Sequence, residues 1–175
     1  LERADSGMVE IAASRISMVF QEPRLLEWRT ADRNVEFVIP AEISSAVREE
    51  TARYWLSRVG LTGNTDALPP IMSGGMRQRL SLARAYAVPS EAILMDEPFQ
   101  NLDLAARLAL CRLTRDLHRS REGATLFVTH DVVEAALVSD EVIVLSPRPM
   151  RVLVGIDNPL GEDERDPRSG ELQAF

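Results

Sequence analysis

The chain has 175 residues, enough for one domain with a sizeable core, and its 45% hydrophobic content and mean hydropathy of -0.10 are typical of a globular protein. Its apolar runs are far shorter than the roughly 20 residues that a membrane-spanning helix needs, and its net charge of -7 argues against a nucleic-acid partner. The one cysteine, Cys111, has no disulfide partner, and the 20 cationic side chains are all arginine, so the chain contains no lysine.

The first half of the chain predicts one strand followed by a helical block. The opening residues, LERADSG, match neither a secretory leader nor an ordinary protein start, so we expect the chain to begin within a domain. Apolar residues at every second position, Ile16, Met18 and Phe20, predict a strand that ends at Gln21. Helical patterns follow over residues 30–38 and 42–59, which indicates a helical subdomain inserted into a sheet-based fold.

The second half alternates helices with strands. A helix begins after Ser73, and the apolar run 92–95 predicts a buried parallel strand. A long amphipathic helix, the strand TLFVT, a short helix from about Asp131, the strand EVIVL and the segment RVLVGI come next. This alternation predicts an α/β fold with a sheet that is at least partly parallel.

The sequence Ser73-Gly74-Gly75 at a helix start is a candidate anion site. Unpaired backbone N–H groups and the helix dipole converge there, and glycine lets a phosphate come close. The alternative is a plain glycine turn with a serine cap, and the three residues alone do not decide between the two.

Polar side chains also follow the predicted strands. Asp96 and Glu97 come directly after one strand, where one carboxylate can hold Mg²⁺ and its neighbour can activate a water molecule; the alternative is two solvated acids held stiff by Pro98. His130 and Gln21 each follow another strand, and either could contact a phosphate or a metal, or simply cap a turn. We expect all these groups, with Ser73, to converge on one edge of the sheet.

Five segments in this order resemble the ATP-binding subunit of ABC transporters. VFQEPRLLEW resembles the Q-loop, MSGGMRQRLSLARA the signature motif and its helix, AILMDEP the Walker B strand, QNLD the D-loop and FVTHD the switch histidine. The segments QEPRLLEW, SGGMRQR and VLSPRPMRV most resemble those of the branch that imports nitrate, sulfonates and taurine. Gln100 stands where the family usually has serine.

The resemblance implies ATP and Mg²⁺ as cofactors and gives roles to the sheet-edge residues. It implies that Gln21 binds Mg²⁺ and reports the nucleotide state, that Asp96 coordinates Mg²⁺ through water, that Glu97 is the general base and that His130 steadies the γ-phosphate. These roles make the chain an ATPase whose hydrolysis drives transport.

The resemblance also implies partners. Ser73, Gly74, Gly75 and Met76 are expected to contact ATP held by a second ATPase subunit in a head-to-tail dimer, with Asp103 crossing the interface. The region 22–34 is expected to face membrane permease subunits, which place the chain peripherally at the cytoplasmic face of the membrane. A periplasmic or extracellular solute-binding protein is an indirect partner, and the sequence does not indicate the solute.

The family's phosphate-binding loop, G-x-x-x-x-G-K-[ST], requires a lysine that these residues do not contain. We therefore expect a P-loop-NTPase-like core that lacks its N-terminal strands. The expected divisions are residues 1–21 as a core remnant, 22–88 as the helical subdomain, 89–155 as the core with the catalytic motifs, and 156–175 as a polar tail. Missing strands are expected to leave apolar faces bare, so we expect self-association or low solubility.

Three interpretations of the function remain open. The first is an importer ATPase subunit that is incomplete and inactive alone. The second is a degenerate, non-catalytic partner that offers the signature motif to a complete subunit. The third is an ABC ATPase outside transport, such as a repair or translation factor, which the importer-like Q-loop and the short length disfavour.

Overall fold

The computed structural model of the protein describes residues 7–160, in which two sheets are present. Strands β1 (Ile16–Val19), β2 (Ala92–Asp96) and β3 (Ala124–Val128) form a parallel sheet in that order. Strands β4 (Glu141–Leu145) and β5 (Val152–Asp157) form a separate antiparallel pair. The predicted α/β class with a partly parallel sheet is confirmed.

Five α-helices accompany the strands within the described residues. They are α1 (Ala31–Glu36), α2 (Ser45–Arg58), α3 (Gly74–Ala87), α4 (Leu104–Arg119) and α5 (Val132–Val138). Four of them begin at a side chain that accepts a backbone N–H of the first turn, which satisfies donors that a helix start otherwise leaves unpaired; these caps are Ser44, Ser73, Asp103 and Asp131. Between residues 7 and 160, every helix is too short or too polar to cross a membrane.

Helices α1, α2 and α3 pack on one another, and their buried apolar side chains belong to the same core cluster as those of the sheet. Val35, Ala52, Leu56 and Leu80 are fully buried there. Each large aliphatic side chain buried in this way contributes about 1.5–3 kcal/mol of transfer free energy. This helical packing confirms the helices expected over 30–38 and 42–59, with ends that differ by a few residues.

The parallel sheet buries one face only. Helix α3 packs against β1, and the buried face carries Ser17 and Val19 beside Ile93 and Met95 of β2. The alternation of Ile16 and Met18 predicted the strand correctly, and these two residues point away from its buried face. The strand also ends at Val19 rather than at Gln21, which lies in the turn after it.

The opposite face of the sheet is apolar and exposed. Leu126 is 60% and Val128 is 47% exposed on β3, and Ile16 and Met18 of β1 are also exposed. All six residues of β5 are exposed as well, and this strand ends two residues inside the segment expected to be a polar tail. Residues 161–175 of that expected tail lie outside the described part of the chain, as do residues 1–6.

Candidate functional site

Asp96 and Glu97 lie at the carboxyl end of β2. Asp96 is the last residue of the strand and is exposed. Glu97 follows with φ of 41°, a left-handed conformation that is uncommon outside glycine and that occurs mainly where the surrounding structure enforces it. Its N–H donates to the carbonyl of Val128 at 2.9 Å, so the turn is tied to the end of β3. Pro98 and Phe99, which follow Glu97, are buried, so this side of the turn is packed in the core.

His130 lies beside Glu97. Its Nδ1 is 3.2 Å from Oε2 of Glu97, and the two side chains are 66% and 30% exposed. Because β2 and β3 are neighbouring parallel strands, their carboxyl ends meet at one edge and bring the two residues together across 33 positions of sequence. A carboxylate at an open edge with an imidazole next to it can accept a proton from water and can contact an anion.

Gln21 joins the same edge through Gln100. The side-chain amide nitrogen of Gln21 donates to Oε1 of Gln100, so the amide oxygen of Gln21 remains available as a ligand. Gln21 lies two residues after β1, which is the neighbour of β2. The amide of Gln21 and the exposed carboxylate of Asp96 are oxygen donors of the kind that Mg²⁺ prefers.

A small cavity opens between the end of β2, the start of α4 and the start of α5. It measures about 50 Å³, and its lining residues are Glu97, Gln100, Arg107, Thr129, His130, Asp131 and Glu134. This volume admits a few water molecules but not a nucleotide, which needs a site of several hundred cubic ångströms.

Ser73, Gly74 and Gly75 form a second, separate feature at the start of α3. The Ser73 hydroxyl accepts the N–H of Met76 at 3.2 Å, and its own hydrogen remains available to a ligand. A Cβ added at Gly74 would lie 3.4 Å from Cδ2 of Leu102, and one at Gly75 would lie 4.0 Å from Cβ of Ala106. These are ordinary contacts, so packing within the described chain does not require either glycine.

The signature segment makes no direct contact with the sheet-edge groups within the described residues. None of Ser73, Gly74, Gly75 and Met76 lines the cavity, and within residues 7–160 no hydrogen bond or ion pair connects them to Glu97. Asp103 caps α4 by accepting the N–H of Ala106 at 2.9 Å and is exposed.

The loop that follows Gln21 is held by the side chains of Asn34 and Arg84. The side chain of Asn34 is buried and bonds the backbone of Leu26, Arg29 and Thr30 at 2.9–3.1 Å. Arg84 of α3 donates to the carbonyl of Arg24 at 2.8 Å, and burial lowers the pKa of the Arg84 guanidinium. The loop therefore keeps a defined shape although its Trp28 is 76% exposed.

A sequence profile described as ABC transporter matches residues 2–100, more than half of the chain. The chain belongs to the ABC transporter family. Its α/β core with a parallel sheet is the P-loop ATPase type of core that the sequence predicted.

Curated relatives agree with this membership. The aliphatic sulfonates import ATP-binding protein SsuB 2 of Frankia alni is 43% identical over 175 residues, which are 99% of this chain and 68% of the relative. The corresponding protein SsuB of Mycobacterium sp. (strain MCS) is 41% identical over 174 residues, 99% of this chain and 71% of the relative. A protein of Brucella abortus biovar 1 (strain 9-941) is 40% identical over 161 residues. That match covers 90% of this chain, and the chain spans only 62% of the Brucella protein.

The sequence interpretation gave no site role to several residues that line the cavity beside His130. Thr129, Asp131, Glu134 and Arg107 are linked to one another by ion pairs and hydrogen bonds next to His130. One signal was present in the sequence, because an acid followed three residues later by glutamate at a helix start is a capping pattern, and Asp131 and Glu134 have that spacing. Nothing in the sequence pointed to Arg107, since it lies 24 residues before Asp131 on another helix.

Proposed function

We propose that the protein is the ATP-binding and ATP-hydrolysing subunit of an ABC importer for a small solute of the sulfonate, nitrate or taurine type. The observation that carries this proposal is the pair formed by Glu97 and His130 at the carboxyl ends of adjacent parallel strands, 3.2 Å apart and open to solvent. The names of the Frankia and Mycobacterium relatives, both aliphatic sulfonate import proteins, support the direction of transport and the solute class.

At the sheet edge, Glu97 is the general base that accepts a proton from the attacking water. His130 donates a hydrogen bond to the γ-phosphate, and its contact with Oε2 of Glu97 keeps the two side chains together. Asp96 and Gln21 fit Mg²⁺ because both offer oxygen ligands on neighbouring strand ends. Mg²⁺, when bound, neutralises phosphate charge.

The signature segment acts on ATP bound to a second ATPase subunit. Helix α3 has 14 residues, and its exposed start presents Ser73, Gly74 and Gly75, followed by Met76, at the positive end of the helix dipole. Because this feature is separate from Glu97 and His130, one subunit supplies the base and the other supplies the helix start in a head-to-tail dimer. Asp103, exposed beside Leu102, lies at that interface.

Membrane permease subunits are the proposed partners of the loop 22–34. The loop is fixed by Asn34 and Arg84 yet exposes Trp28, which suits a preformed docking element. The chain then works at the cytoplasmic face of the membrane, and a periplasmic or extracellular solute-binding protein delivers the solute indirectly. The net charge of -7 supports a role without nucleic acid.

The 175 residues are proposed to be inactive by themselves. The family's phosphate-binding loop positions the β- and γ-phosphates with a lysine, and this sequence has none. Positioning and charge neutralisation supply most of the catalysis in phosphoryl transfer, so Glu97 and His130 alone do not suffice.

The test compares Mg·ATP binding and phosphate release by four proteins. These are the 175-residue chain, a chimaera that carries a G-x-x-x-x-G-K-[ST] segment from a family member upstream, the same chimaera with that lysine changed to alanine, and the chimaera with Glu97→Gln. We expect binding only by the two proteins with the lysine, and hydrolysis about 10²–10⁴-fold slower with Glu97→Gln. Tight binding by the 175-residue chain would place the nucleotide elsewhere, and undiminished hydrolysis by Glu97→Gln would reject the base assignment.

A non-catalytic partner is the second candidate, favoured by the intact, exposed start of α3 in a sequence without lysine. It predicts that the 175-residue chain raises the turnover of a complete ATPase when the two are mixed, and that Glu97→Gln in this chain leaves that effect unchanged. An ABC ATPase outside transport is distinguished by a binding assay with DNA and with ribosomes, for which we expect no binding.

A further inference from the structure

Arg107 lies at the centre of a charge cluster to which the proposed chemistry gives no role. Its NH1 is 3.0 Å from Oδ2 of Asp131, and its Nε is 3.7 Å from Oε1 of Glu134. The Glu134 side chain is only 4% exposed, and those of Arg107 and Asp131 are 27% and 24% exposed. A charge pair buried to this extent constrains geometry more than a surface pair does, because an unpaired buried carboxylate is costly.

The residues on either side of His130, Thr129 and Asp131, are both bonded within the cluster. Thr129 donates its hydroxyl to Oε2 of Glu134 at 2.7 Å and accepts the N–H of Asp131 at 3.0 Å. Asp131 in turn accepts the N–H groups of Val133 and Glu134 at 2.9 and 3.1 Å, which begins helix α5. The residues before and after His130 are therefore each held by side chains of the cluster.

The His130 ring itself has little support. Two thirds of its side chain is exposed, and its one polar contact within the described residues is that with Glu97. The position of the imidazole is therefore determined mainly by the backbone that carries it, and that backbone is fixed by the charges around Arg107.

Arg107 also connects this cluster to the helix that Asp103 caps. The N–H of Arg107 donates to the carbonyl of Asp103 at 2.9 Å, in the first turn of α4. The guanidinium then reaches from that turn to the start of α5, so one side chain joins the two helix starts.

We propose that Arg107 is a positioning residue that holds the imidazole of His130 against Glu97 by pairing with Asp131 and Glu134. The importance of this position for hydrolysis rests on the proposed function, whereas the positioning itself does not. The two are therefore tested separately.

The positioning is tested by nuclear magnetic resonance of the histidine rings, without nucleotide and at one fixed pH. The chain has two histidines, and His118, whose Nδ1 is 3.0 Å from the hydroxyl of Thr125, is an internal reference. In Arg107→Met, we expect the His130 ring signals to shift and its order parameter to fall, with His118 unchanged. Arg107→Lys should produce a smaller change than Arg107→Met, because lysine keeps the charge but cannot pair with both carboxylates in the geometry of a guanidinium.

The matched control is Arg53→Met, the same change in a surface pair, where NH2 of Arg53 lies 3.3 Å from Glu49. We expect no effect on either histidine. If Arg107→Met shifts the ring signals of both histidines, the chain has unfolded. The test is then made with Glu134→Gln, which keeps the shape of the side chain and removes its charge. An unchanged His130 in a folded Arg107→Met chain, or in Glu134→Gln, overturns the proposal.

The kinetic arm uses the ATP-hydrolysing chimaera. A positioning role predicts that Arg107→Met lowers kcat by roughly ten- to a hundredfold and leaves KM for ATP unchanged, because misplacing a reacting group slows the chemical step. An unchanged kcat, in a chimaera that Glu97→Gln slows by about 10²–10⁴-fold, overturns the importance of Arg107 for hydrolysis, and the His130 ring signals alone then decide the positioning.

Discussion

The helical part of the chain, residues 22–88, and the sheet part differ in where their exposed apolar side chains lie. In the helical part, Val35, Leu56 and Leu80 are fully buried by neighbouring helices. In the sheet part, one face is packed and the other exposes Leu126 by 60% and Val128 by 47%. The helical part also exposes apolar side chains, such as Trp28 and Ile71, whereas the exposed apolar side chains of β1 and β3 lie together on one face of the sheet.

The two candidate sites differ in how far apart in the sequence their residues lie. The start of α3 is built from consecutive residues, a serine cap and backbone N–H groups, and depends on nothing distant. The Glu97 and His130 edge needs two strands in register, a strained turn and charges from α4 and α5. The first site is a local property of the sequence, while the second is a property of the assembled fold.

The largest expected effect concerns the exposed sheet face. If this face drives self-association of the 175-residue chain, Leu126→Glu should weaken the association by about tenfold or more, because it removes roughly 1.5–3 kcal/mol of apolar burial and adds a charge. The matched control is Val47→Glu on α2, where Val47 is 49% exposed in the helical part. Sedimentation velocity measures both. If the wild type is a monomer, or if the two variants weaken association equally, the exposed sheet face does not drive self-association.

An intermediate effect is expected from two glycines. Gly75→Ala should leave the free energy of unfolding unchanged or raise it by up to about 1 kcal/mol, because alanine favours helix and the new Cβ meets only Ala106 at 4.0 Å. Gly123→Ala, in the sheet part, should lower it by roughly 1–3 kcal/mol, since φ is 118° and the Cβ would lie 2.5 Å from the carbonyl oxygen of Glu91.

Urea unfolding at a fixed protein concentration compares the two glycine variants. If Gly75→Ala also abolishes the proposed contact with ATP on the partner subunit, the glycine serves the ligand rather than the fold. A large loss of stability in Gly75→Ala would instead show that packing requires it.

Local patterns in the sequence predicted most of the elements and the start of α3. The carboxylates, the histidine and the neighbouring strand ends were also predicted, because parallel strands bring their carboxyl ends together. The face of β1 was not, since the inward direction is decided by α3, which packs over Ser17 and Val19. Arg107 was missed for a similar reason, because its partners lie on a helix that follows 24 residues later.

The smallest expected effect distinguishes the effect of charge from that of burial on Glu134, beside the sheet edge. Burial is the main cause of the raised pKa of Glu134, and the charge of Asp131 adds to it, while the hydrogen bond from Thr129 and the charges of Arg107 and His130 oppose it. A carboxyl whose pKa is raised by folding stabilises the protein fully below its unfolded value of 4.5, and this stabilisation is lost as the pH rises through the folded pKa. Glutamine does not titrate. The free energy of unfolding of Glu134→Gln, relative to that of the wild type, should therefore rise as the pH increases above 4.5, as followed by urea unfolding at each pH. A difference that stays flat or falls with pH would show that the ion pair with Arg107 outweighs burial. The charged form of Glu134 would then stabilise the fold rather than destabilise it.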